Sequence, residues 1–214
     1  MLIAARNAIL AGGAALPYDA EVEYLESTGT QYIDADYIPT IDSEMELDIM
    51  CLSQNSSYTG VAVCGNYFNS THVFGLGRNS NNILIGYFGN KANVNLYGTF
   101  YRNVRYKTSI NKDTLSCTNV ETQASTSMTM GVTRFDTSSR SLYLLNGNTQ
   151  TGDLWIHANW KLFGCKLFRQ SLVRDFIPVR VGSGANAVGY MYDRVSGELF
   201  GNAGTGAFVI GPDK

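Results

Sequence analysis

The sequence predicts an all-β protein: one antiparallel β-sandwich of jelly-roll type, preceded by a short apolar arm. Three observations carry this. Past Pro17 no segment holds a sustained helical period. Short runs instead alternate apolar and polar residues, as in "SEMELDIMCL" from Ser43 to Leu52. Breaks rich in Asn and Gly, such as "RNSNN" and "GNKAN", separate those runs and mark hairpin turns. Composition agrees. The chain has 22 Gly, 13 Tyr and 10 Phe against 4 Pro, the mix of a protein with many turns and aromatic-bearing strands. Its 44% hydrophobic and 16% charged residues suit a well-cored domain, and 214 residues suit one large sandwich.

The elements follow in order. Residues 1–17 read as an arm and 18–214 as the sandwich. "MLIAARNAILAGGAAL" lacks the basic start and unbroken apolar run of a signal peptide, because Arg6 and Asn7 interrupt it. It is too short to span a bilayer. Leu2, Ile3, Ile9 and Leu10 could line one side of a short helix, which is marginal alone in water. The arm is therefore expected to anchor the domain to a sister subunit or a larger assembly. Next, "YLESTGTQYID" has a turn at Ser27–Gly29, then Gln31 and Ile33 on one side and Tyr32 and Asp34 on the other. In "SEMELDIMCL", Met45, Leu47, Ile49 and Cys51 point inward. "GVAVCG" is apolar on both sides, as in a central strand. "HVFGLGR", "NILIGYFG", "NVNLYGTF", "NVRYKTSI", "DTLSCTNV" and "SLYLLNGN" follow as further strands, and "TGDLWIHANW" is the one short helical candidate. "NWKLFGCKLF" sets Phe163, Cys165 and Leu167 on one face, expected to meet Met45, Leu47 and Ile49 across the sandwich. "VRDFIPVRV" and a closing hairpin over "DRVSG" end the chain. About a dozen short strands of this kind argue for a sandwich.

Charge and cysteines exclude several functions. A net charge of −2 and no basic run give nucleic acid no electrostatic reason to bind. Cys51, Cys64, Cys117 and Cys165 have no CxxC spacing, so zinc and thioredoxin-type readings fail. They read as free buried thiols behaving as small hydrophobes. A Cys51–Cys64 bridge is disfavoured, since pairing about the Ser53–Thr59 loop does not set the two opposite each other.

Two stretches carry a family resemblance. "YLESTGTQYIDADYIP" opens the domain, and "KLFGCKLFRQSLVRDFIPVRVG" continues into "GYMYDRVSGELFGNAGTGAFVIGPD". Together they resemble the concanavalin A-like, laminin-G-like jelly-roll domains of surface and virion proteins from gut bacteria and their phages. The closing hairpin matches at Tyr192, Asp193, Ser196, Gly197, Phe200, Asn202, Gly204, Thr205, Gly206 and Phe208. Residues 53–159 share only the general texture. The resemblance implies a non-catalytic virion-associated or cell-surface adhesion module presenting a lectin-like domain, with glycoside hydrolase or lyase, or free-standing lectin, as rivals. It places the protein on a virion or cell surface.

The residues supply candidates for each reading. Glu44, Glu46 and Asp48 share one strand face. Hydrolases of the resembled fold use a Glu-x-Asp-x-Glu or Glu-x-Asp-x-x-Glu order, whereas here the Asp comes last, so the face reads as solvated and the protein as no enzyme. Asp34 and Asp36 are the one candidate pair for a structural Ca²⁺, with turn capping the plainer role; no cofactor is implied. For a glycan, ring stacking and amide or guanidinium donors are needed. "CGNYFNSTHVFGLGR" offers Asn66, Tyr67, Asn69, His72 and Arg78, and Trp155, His157 and Trp160 form a second group. These eight residues are the expected glycan rim.

Overall fold

The computed structural model describes residues 15–54, 60–79, 81–96, 100–136, 138–149 and 158–214. The arm through residue 14, the helical candidate through residue 157, Trp155 and His157 lie outside them. Among the described residues all the regular structure is β apart from one 3-10 turn, Gly184–Asn186. Strands β1 (Ala20–Glu21), β2 (Leu25–Ser27) and β3 (Ile33–Asp34) open the domain. Then come β4 (Ser43–Gln54), β5 (Gly60–Asn69), β6 (His72–Asn79), β7 (Leu84–Phe88) and β8 (Lys91–Leu96). They are followed by β9 (Arg105–Asn111), β10 (Thr114–Asn119), β11 (Ser125–Thr129), β12 (Tyr143–Leu144) and β13 (Gly147–Asn148). The chain closes with β14 (Ala158–Arg169), β15 (Ser171–Val181), β16 (Val188–Asp193), β17 (Glu198–Phe200) and β18 (Val209–Ile210).

The strands form two sheets. The larger runs β11-β10-β9-β4-β14-β15-β16-β17, with β1 on β15, β2 on β14 and β18 on β2. The smaller runs β3-β12-β5-β6-β7-β8, with β13 parallel to β5. Apart from that pair every ladder among the described residues is antiparallel, the arrangement that lets one sheet face meet water. One continuous core fills the space between the sheets, including Met45, Ile49, Phe74, Leu76, Trp160 and Leu167. Among the described residues no helix is long and apolar enough to cross a membrane.

Local chemistry explains the turns that frame this core. Asn79 accepts backbone bonds from Asn81 and Ile83 through Oδ1, which turns β6 into β7. In the closing hairpin Asp193 is fully buried, and its carboxylate takes backbone N–H bonds from Asp175, Val195 and Ser196 at 2.8, 3.1 and 3.2 Å. Arg174 lies 3.6 Å away and balances the buried charge. The Asn202 side chain then ties the loop to Tyr32 N, and a Cβ on Gly204 would sit 2.0 Å from the Thr30 carbonyl oxygen. Only glycine permits that approach. The opening segment at Thr30 and Tyr32 and the closing loop at Asn202 and Gly204 are thereby fastened together.

Two expectations about the core need correction. Met45, Leu47 and Ile49 are buried, as are Cys165 and Leu167. These residues do not face one another across the sandwich, because β4 and β14 are neighbours in the same sheet. Phe163 is not with them. A register shift between Leu162 and Gly164 gives β14 one extra residue there. Trp160, Leu162, Cys165 and Leu167 stay inside while Phe163 turns onto the outer face. The cysteines Cys51, Cys64, Cys117 and Cys165 are all buried and unbridged, and Cys51 and Cys64 sit on strands of different sheets.

Candidate functional site

The outer face of the large sheet carries a groove of about 430 Å³. Its residues come from strands far apart in sequence, joined by register. Ser116 on β10 lies opposite Ser109 on β9, and Ser109 opposite Glu46 on β4. Glu46 lies opposite Lys166 on β14, and Lys166 opposite Asp175 on β15. The result is one straight cross-strand row, Ser116–Ser109–Glu46–Lys166–Asp175. A second row, Thr118–Lys107–Asp48–Gly164, runs beside it. Alternation puts all these side chains outward because their neighbours Leu47, Ile110, Leu115 and Cys165 point inward.

Hydrogen bonds set the groove's electrostatics. Arg105 donates two bonds to Asp48, at 2.7 and 2.8 Å. Those bonds hold the guanidinium's pKa above its usual value. Arg194 donates twice to Asp175 Oδ2, at 3.0 and 2.7 Å. The Ser109 and Ser116 hydroxyls bond each other at 2.7 Å. Glu46 is the remaining groove carboxyl. It is exposed and makes no ion pair among the described residues. Lys107 and Lys166 likewise make none among the described residues.

The bulge shapes one end of this groove. Phe163, the extra residue, lies under the Arg105 guanidinium, 3.9 Å from its ring centroid. Tyr24 meets the same ring edge-on at 5.5 Å, with Lys161 3.8 Å over Tyr24. Gly164 follows, and its missing side chain leaves the groove floor open at the bulge.

The expected glycan rim does not assemble among the described residues. Asn66 and His72 are fully buried. His72 Nδ1 donates to the Asp136 carbonyl, so Nε2 accepts from Asn66 Nδ2 at 3.2 Å. Phe135 closes over the imidazole at 4.6 Å. Asn69 caps a turn, accepting from Thr71 and His72 N–H. Tyr67 packs with Val73, Ile85 and Tyr87 on the outer side of the small sheet. Arg78 is buried, bonded to the Phe100 carbonyl at 3.2 Å and to Asn82. Trp160 is wholly inside the core. Asn66, His72, Arg78 and Trp160 are buried and have no face to offer a sugar, which leaves only the half-buried Tyr67 and Asn69 among the described residues. Asp34 and Asp36 are also engaged: Asp34 takes bonds from Asp36 N and Ser141 Oγ, and Asp36 pairs with Arg174 at 3.3 Å. They do not fit a Ca²⁺ site, and among the described residues no group of three or more His, Cys, Asp or Glu could hold a metal. Sequence reading had flagged Glu46 and Asp48. It missed Lys166, Asp175 and Ser109, which only the strand order brings alongside.

No family model matches the chain, and no curated protein does. Solved structures that align with it include scytalido-glutamic peptidase bound to a transition state analog inhibitor, at 14% identity and TM-score 0.37 over 80% of this chain and 98% of that one. Another is SCP-B, a member of the eqolisin family of peptidases, in complex with a tripeptide Ala-Ile-His, at 14% identity and TM-score 0.33 over 78% and 98%. These likenesses carry no activity over to this chain. They do run against the expectation of a non-catalytic surface module: the aligned proteins are enzymes, and the non-enzyme reading is withdrawn.

Proposed function

We propose that the protein is a hydrolase that cleaves an extended glycan lying in the groove of the large sheet. The observation that carries this is the cross-strand row Ser116–Ser109–Glu46–Lys166–Asp175. It places two carboxyl groups on one open face, two strand positions apart. At a spacing of about 4.8 Å per strand that is about 10 Å along the sheet. That backbone separation lies at the upper edge of the roughly 6.5–9.5 Å at which inverting glycosidases hold their carboxyl groups with a water between, and well beyond the roughly 5–5.5 Å of a retaining pair. Hydroxyl-bearing Ser109, Ser116 and Thr118 and the Phe163 ring line the same groove, as sugar hydroxyls and ring faces require.

The chemistry needs only this chain's residues and one water. Glu46, which no guanidinium engages, gives its proton to the oxygen of the leaving sugar. Asp175 takes a proton from the attacking water, whose hydroxide adds at the anomeric carbon as the glycosidic bond breaks. Both groups return to their starting state by exchange with solvent. Arg194 binds Asp175 through Oδ2 and steadies it.

The test is incubation of wild-type protein and Glu46→Gln with a panel of neutral and acidic polysaccharides and with casein. New reducing ends should appear with the wild type, and Glu46→Gln should lower the rate by about 100-fold or more, the usual worth of a positioned acid. Cleavage of casein alone would replace the glycan reading with a peptidase. No turnover of anything would sink the proposal.

A further inference from the structure

We infer that the groove selects a polyanionic glycan, one carrying carboxylates along its length. This deepens the hydrolase reading and rests on the same groove.

The argument is one of residual charge. Three acidic and three basic side chains line the groove: Glu46, Asp48 and Asp175 with Lys107, Lys166 and Arg194. Their pairings are unequal. Asp48 is neutralised by Arg105, which stands just outside the lining, and Asp175 by Arg194. Two ammonium groups, Lys107 and Lys166, are thus left against one carboxyl, Glu46. The groove is locally cationic in a chain whose net charge is −2.

Position makes this surplus useful. Lys166 is in the same cross-strand row as Glu46, on the neighbouring strand. Lys107 lies on the opposite neighbour β9, opposite Asp48, two residues along from Ser109, the partner of Glu46. The two cations therefore flank Glu46: Lys166 stands between the two carboxyls, where the scissile bond would lie, and Lys107 stands beyond Glu46. An acidic sugar would meet one ammonium group at the cleavage point and another on the Glu46 side of it. A neutral chain would leave both lysines without a partner, and a polycation would be repelled. Arg105 is paired with Asp48 and stacked on Phe163, so the positive surplus rests on the two lysines.

The experiment measures binding apart from cleavage, on Glu46→Gln, which keeps the groove and removes the acid. Calorimetric titration would use three soluble probes: polygalacturonate, its methyl ester and dextran sulfate. Polygalacturonate should bind, and the uncharged ester should bind about tenfold or more weaker, the loss of one charge-assisted contact. Lys107→Gln and Lys166→Gln, each added to Glu46→Gln, should weaken polygalacturonate by a similar factor and leave the ester unchanged. Raised salt should weaken it too. Binding of dextran sulfate but not polygalacturonate would reassign the anion to sulfate and overturn the carboxylate preference. Equal affinity for the acid and the ester, or unchanged affinity in both lysine variants, would overturn the inference. If the acidic chain binds but no glycan is cleaved, the hydrolase reading fails and the groove's selectivity stands. If a neutral glycan is cleaved, the reverse holds.

Discussion

Strands β4 and β6 differ in one respect that decides where function can lie. On β4 burial alternates: Met45, Leu47, Ile49 and Cys51 are inside, while Glu44, Glu46 and Asp48 face outward. On β6 every residue from His72 to Arg78 is buried. The large sheet has one wet face, and the small sheet at β6 has none. Polar residues on β6 must therefore be satisfied internally, as His72 and Arg78 are. Polar residues on β4 stay free to meet a ligand. An Asn, a His or an Arg on a strand says little about binding until the second face of that strand is known.

Substitutions can break this comparison in order of size. Phe74→Ala, on the two-sided strand β6, removes a fully buried ring and should cost about 3–5 kcal/mol. Chemical denaturation reads that cost, and a value near zero would mean the second face of β6 is open. On β4 the effect should alternate. Leu47→Ala should cost about 2–5 kcal/mol, and the neighbouring Glu46→Ala should lie within about 0.5 kcal/mol of wild type. Similar costs at both positions would contradict the alternation.

Alkaline pH sharpens the same contrast. Burial pushes the Cys64 thiol on β5 up to about 12, the Cys51 thiol on β4 up to about 11 and the Tyr87 hydroxyl on β7 up to about 12. In the unfolded chain these protons leave near 9.0 for cysteine and 10.0 for tyrosine. The native state holds them more tightly, so their contribution is complete below about pH 9 and is lost as pH rises toward about 12. Each group can steepen the decline by at most about 1.4 kcal/mol per pH unit. Denaturation midpoints from about pH 8 to 11 should fall, and Cys64→Ala should flatten the curve. A flat wild-type curve would show the thiols reachable by water. The bulge should show a loss between those at Leu47 and Glu46: Phe163→Ala forfeits the Arg105 stack, about 0.5–1 kcal/mol, plus a partly buried ring. A larger loss would place Phe163 in the core.

Much of the architecture was legible before the structure. Period-two alternation identified β4, and Asn and Gly breaks identified the turns at Asn79–Asn82 and Gly89–Asn90. Asp193 and Gly204 betrayed the closing hairpin, because local backbone bonding and close approach need those residue types. The bulge at Phe163 was hidden, since alternation was assumed to run unbroken through "NWKLFGCKLF". The groove was hidden too. Glu46 and Asp48 were visible as one face, but Lys166 and Asp175 join them only through pairing across more than a hundred residues. Sequence proximity misled at Asn66 and His72 for the same reason reversed: they are near in the chain and sealed from solvent.

The central claim is that the open face of the large sheet is the working face. Amide chemical shifts recorded on Glu46→Gln, during titration with the glycan fragment that the wild type cleaves best, test it most directly. The account predicts perturbations clustered at Glu46, Asp48, Ser109, Lys166 and Asp175, with those at Asn66, His72 and Arg78 unmoved. Perturbations centred on β5, β6 and β7 would contradict it.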